Sequence, residues 1–121
     1  MQLEIEVWLR GNDVATTLAV DAPIPEPSGW TDADVRVLLE ELLRAIDRAR
    51  HPDADPRRLV VLKGFNWIVS EFEGRGLLVS LEIQLGAAAA GPFAIGRAEL
   101  EGMITRVMAD ARGGLARPAV H

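Results

Sequence analysis

The feature that most constrains this chain is the run from Thr31 to Arg50, where Val35, Leu38, Leu39, Leu42, Leu43, Ile46 and Ala49 recur at helical spacing. A helix with so broad an apolar stripe is unstable alone and needs a surface to lie on, which the rest of the sequence must supply. Thr31 with Asp34 three residues later forms an approximate capping box, and Asp32 adds negative charge at the positive end of the dipole. The helix must end before Pro52, because proline restricts the residue ahead of it and cannot continue the hydrogen-bond ladder.

The surface it needs is written in a different period. Leu3, Ile5, Val7 and Leu9 alternate with Glu4, Glu6, Trp8 and Arg10, the pattern of a strand with one buried face. Gly11, Asn12 and Asp13 supply a turn, and Val14 to Val20 returns as the second arm of a hairpin. Pro23, Pro25 and Pro27 make the segment from Asp21 to Gly29 a stiff connector into the helix.

After a loop from His51 to Pro56, Leu59 to Leu62 and Phe65 to Glu73 are read either as two strands or as one strand bent at Gly64. Gly74 and Arg75 turn the chain into Leu77 to Leu85, in which Leu77, Val79, Leu81, Ile83 and Leu85 share one side. A Gly- and Ala-rich stretch, Gly86 to Gly91, then leads to a second helix. Its stripe is Leu100, Met103, Ile104, Val107, Met108 and Ala111, with Gly96 as N-cap and Gly113 as stop.

The predicted fold is therefore α+β: an antiparallel sheet of four to five strands with two amphipathic helices, in the order β-β-α-β(-β)-β-α. Residues 1–112 form one domain, and residues 113–121 are expected to be a disordered tail. At 121 residues, 49% apolar and 26% charged, one core is the expectation.

Charge narrows the partners. Thirteen basic against eighteen acidic residues give a net charge of −5, and Arg36, Arg44, Arg48 and Arg50 are interspersed with Asp32, Asp34, Glu40, Glu41 and Asp47. A mixed acidic surface of this kind repels phosphate backbones and anionic lipid, so neither nucleic acid nor membrane is an expected partner. No apolar run approaches the ~20 residues that cross a bilayer, and no signal peptide opens the sequence. The absence of cysteine fits a reducing compartment, and the expected location is the cytoplasm.

Chemistry has little to work with. His51, Asp53 and Asp55 fall within five residues, but Arg57 and Arg58 stand where a calcium loop needs further ligands and glycine. Zinc would need more strong ligands than this loop offers. His51 is better explained as a cation near a helix C-terminus, and the two Asp as turn formers. Ser28, Ser70 and Ser80 do not occupy a nucleophile elbow. Glu71 and Glu82, across the last hairpin, read as solvated strand residues. The Gly-rich stretch before Arg97 matches neither a P-loop nor a dinucleotide fingerprint. We expect no metal and no cofactor.

The aromatic residues are the informative feature. If Phe72 pairs with Leu77, Ile68 joins Val79 and Leu81 on the core side, and Phe65, Trp67, Val69 and Leu78 fall on the other side. Trp8 lies opposite the apolar set of the first strand. Trp8, Phe65, Trp67, Val69 and Leu78 are thus the candidate interface, unless one helix covers each face and makes three layers. The expected function is a small non-catalytic interaction or assembly domain, homo-oligomeric or bound to another protein through that face. Two alternatives remain open. One is a small hydrolase or isomerase at the His51/Asp53/Asp55 loop, with Asp53, Asp55 or Glu71 as base. The other is a ligand-binding module with a pocket between sheet and helix near Gly102 and the Ala-rich stretch.

Overall fold

The computed structural model describes residues 1–55 and 60–116. It contains strands β1 (Gln2–Leu9) and β2 (Thr16–Asp21), helix α1 (Asp32–Arg50), strands β3 (Asn66–Glu71), β4 (Leu77–Ile83) and β5 (Gly86–Phe93), and helix α2 (Arg97–Ala116). One short 3-10 turn, Pro27–Gly29, closes the proline connector. All five strands join one antiparallel sheet in the order β2-β1-β5-β4-β3, so the expected α+β class and element order hold.

The helices occupy a single layer. Leu3, Ile5 and Val7 of β1, Leu77, Val79 and Leu81 of β4, Ala88 and Ala90 of β5 and Val69 of β3 are buried with both helical stripes in one core. Neither helix crosses to the other face, so the architecture has two layers and not three. The α1 stripe lies over β1 and β5 and touches α2 at its side. Its N-terminus is fixed as the sequence indicates: Asp34 N–H donates to the Thr31 hydroxyl at 3.3 Å and Thr31 N–H donates to the Asp34 carboxylate at 2.9 Å. Such a cap contributes ~1 kcal/mol.

The Gly86 to Gly91 stretch is not a connector but the start of the central strand. Alanine and glycine have low strand propensity, which hides it in the sequence. Tertiary contact explains the choice: Ala88 and Ala90 are fully covered by α1, and a Cβ on Gly86 would collide with the backbone oxygen of Trp8. Between Val79↔Ala90 and Leu77↔Phe93 the ladder gains one residue on β5, at Gly91 and Pro92. That bulge reverses the alternation, so Phe93 points to the same side as Ala88 and Ala90 and meets the Trp30 ring edge-on at 4.9 Å.

Two other boundaries differ from expectation. Residues 60–64 carry no strand, although Leu62 is buried, and Leu59 lies outside the described residues. The second helix continues past Gly113 to Ala116, while residues 117–121 of the expected tail lie outside the described residues.

Candidate functional site

The hairpin between β3 and β4 decides which side chains face outward. Phe72 N–H donates to the Gly76 oxygen at 3.0 Å and Arg75 N–H to the Phe72 oxygen at 2.8 Å, with Glu73, Gly74 and Gly76 all at positive φ. The loop is therefore three residues long. Glu71, not Phe72, pairs with Leu77, and the register runs on through Val69↔Val79 and Trp67↔Leu81.

A one-residue difference in register turns every side chain of a strand over. Of the five residues expected at an interface, three are thereby placed on the helix side. Val69 is 3% exposed in the core, and Phe65 and Trp67 pack against that core from its rim. They also line a shallow depression with Thr105 and Met108 of α2. Only Trp8 and Leu78 stay on the uncovered face. Ile68, expected in the core, is 62% exposed there.

The uncovered face can be read row by row from the pairing. One row runs Trp8, Ala87, Glu82, Asn66, and the next runs Glu6, Ala89, Ser80, Ile68. Glu4 on β1 and Leu78 on β4 extend the same face beyond these rows, and Thr17, Ala19 and Asp21 continue it onto β2. Ala87, Ala89 and Ser80 make a low floor. Glu6 and Trp8 stand on one side of it and Ile68 on the other, three strand spacings or ~14 Å apart. Trp8 is 43% exposed, which is unusual for a tryptophan on a monomer surface. Glu4, Glu6 and Asp21 line the β1–β2 side of the face and Glu82 stands on β4 beside Ala87, with no basic side chain on these strand positions.

No family model, no curated protein and no solved structure matches this chain.

The positions weighed for chemistry are scattered. His51 caps the C-terminus of α1, its N–H donating to the Asp47 oxygen at 2.9 Å, and its side chain, like those of Asp53 and Asp55, is exposed. Among the described residues no group of three or more His, Asp or Glu is arranged to hold a metal ion. Glu71 and Glu82 sit at opposite ends of the β3–β4 hairpin and on opposite faces, since Glu71 pairs with Leu77 and Glu82 with Asn66. The space between the Ala-rich strand and α1 is filled by side chains, with Ala88 and Ala90 at most 2% exposed. Gly102 sits on α2, and a Cβ there would meet only the Arg106 side chain, at 3.4 Å.

Arg97 does structural work. Its guanidinium donates to the Val69 oxygen at 2.8 Å and reaches Glu101 at 3.4 Å. Across the helix layer, Arg106 holds the Asp32 carboxylate through two hydrogen bonds of 2.9 and 3.0 Å, tying the middle of α2 to the first turn of α1. The hydrogen bonds from Arg106 hold the Asp32 carboxyl below its usual range.

Ile68 and the Ala87/Ala89/Ser80 floor are the surface residues that periodicity alone misses. For Ile68 the missing signal is the loop length of the hairpin. For the floor no signal exists in an unbroken run of alanines, because alternation cannot be seen where every residue is small.

Proposed function

We propose that this protein is a small non-catalytic interaction domain that receives a protein partner on the uncovered face of its sheet. The observation that carries the reading is the exposure of Trp8 and Ile68 on either side of a floor of Ala and Ser, while both helices lie on the opposite side. The strands that carry Trp8 and Ile68 are ~14 Å apart, so a partner helix can lie along the face between them, and an exposed tryptophan is a usual anchor of such contacts. The carboxylates of Glu4, Glu6 and Glu82 on this face favour a partner bearing Lys or Arg and oppose stacking of the face on its own copy. We place the domain in the cytoplasm, in keeping with its cysteine-free sequence.

Photo-crosslinking amino acids installed at Ile68 and at Thr105 in the native host test this. Position 68 is expected to give a discrete protein adduct that Glu6→Lys with Glu82→Lys abolishes, while Thr105 on the exposed side of α2 gives none. Equal yields from both positions, insensitive to the charge reversal, would remove the face as a recognition surface.

A further inference from the structure

The two edges of the sheet are treated differently. Antiparallel ladders alternate residues that bond to the neighbour with residues that point away from it. Ala22 N–H donates to the Met1 oxygen at 2.9 Å, and with this pair as origin Val20, Leu18 and Thr16 bond to β1 while Asp21, Ala19 and Thr17 direct their N–H and C=O outward. At the opposite edge the Phe72–Gly76 bond sets the phase, so Trp67, Val69 and Glu71 are the outward residues of β3. The outward carbonyl of Val69 is occupied by Arg97. Among the described residues, no hydrogen bond reaches the outward backbone groups of Thr17, Ala19 or Asp21.

An open edge is a template for another strand, and proteins commonly blunt it with Lys, Pro, a bulge or a covering segment. Within Thr16–Asp21 the sequence Thr-Thr-Leu-Ala-Val-Asp has none of these, and Pro23 appears only beyond its end. We infer that two copies of this chain join β2 to β2 antiparallel about a two-fold axis at Ala19, making one continuous ten-stranded sheet.

The strand is self-complementary in that register. Thr17 stands opposite Asp21 of the other copy, a hydroxyl facing a carboxylate, and no two like charges are paired. Leu18, half-buried on the helix side, stands opposite Val20 and extends the apolar layer across the junction. All three outward residues of each strand find outward partners, giving about six ladder hydrogen bonds. A second copy fits this edge because the strand is complementary to itself, so a two-fold contact uses one surface twice and doubles the number of uncovered faces presented. The inference goes beyond the proposed partner site, since the edge and the face are different surfaces.

The full chain tests it by sedimentation equilibrium from micromolar to sub-millimolar concentration. The wild type is expected to dimerise. Ala19→Pro removes an N–H that has no partner among the described residues of one copy, and Ala19→Lys sets two ammonium groups against each other on the axis. Each should leave the circular dichroism spectrum intact and raise the dimer dissociation constant at least about tenfold. Because the protein has no cysteine, Ala19→Cys provides a register test: mild oxidation should give a crosslinked dimer, and Thr105→Cys should not. A wild type that stays monomeric throughout, or a dimer that survives both Ala19→Pro and Ala19→Lys, overturns the inference. A dimer broken by Trp8→Ala and not by Ala19→Lys overturns it in favour of face-to-face pairing. None of these outcomes depends on the crosslinking result at Ile68, so the two readings fail separately.

Discussion

Ile68 and Val69 are adjacent in sequence, similar in size and equally suited to a strand, yet one is 62% and the other 3% exposed. The helix side of the sheet holds Leu, Ile, Val and Phe interlocked with two helical stripes, whereas the uncovered side holds Ala87, Ala89 and Ser80 among exposed polar and apolar groups. The contrast teaches that small residues serve opposite purposes on the two faces of β5. Ala88 and Ala90 are small so that α1 can approach. Ala87 and Ala89 leave a floor that no helix among the described residues covers.

The sharpest way to break this contrast is to place a carboxylate at each of the two neighbours. Val69→Asp buries an unpaired charge or the protonated acid and should cost more than about 3 kcal/mol, a large share of the stability of an ordinary domain. Ile68→Asp should change stability by less than about 0.5 kcal/mol. Urea titrations of the two variants compare them directly, and equal losses would contradict the register.

The tryptophans extend the comparison. Trp67→Ala opens space between β3 and α2 and should lower stability by about 2 kcal/mol, less than a fully buried tryptophan because its rim is wet. Trp8→Ala, on the uncovered face, should leave the melting temperature within a few degrees while weakening partner capture. Thermal melts alone separate the two.

Gly91 tests the bulge that reverses β5. Its φ is +130° and an added Cβ would lie 2.5 Å from the Leu77 oxygen, so Gly91→Ala should cost about 2 kcal/mol. Gly74→Ala, at φ +70° in open space, should cost about 1 kcal/mol. A reversed order would mean that the β4–β5 ladder relaxes more easily than the hairpin tip.

The smallest effect joins the helices. Because Arg106 lowers the folded-state pKa of Asp32, the pair contributes above the unfolded carboxyl value of about 4 and loses that contribution as pH falls through the lower folded value. Wild type and Arg106→Gln should differ by a constant melting temperature above about pH 5 and converge below pH 4. The difference should also shrink in high salt, since both groups are exposed.

The sequence by itself determined the elements whose patterning is long and whose ends are chemically marked. The Thr31/Asp34 box and seven-residue stripe specify α1, and the alternation from Leu3 to Leu9 specifies β1 and its buried side, because these signals are local and repeated. The tertiary structure decided what depends on pairing. The side of Trp67 and Val69 turns on a three-residue loop, which a reading that pairs Phe72 with Leu77 misses by one position. The central strand is hidden because Gly86 to Gly91 was selected for closeness to α1 and β1 and not for strand propensity. That both helices share one face is likewise a property of the assembled sheet: each stripe specifies that a helix is covered, and only packing specifies by which side.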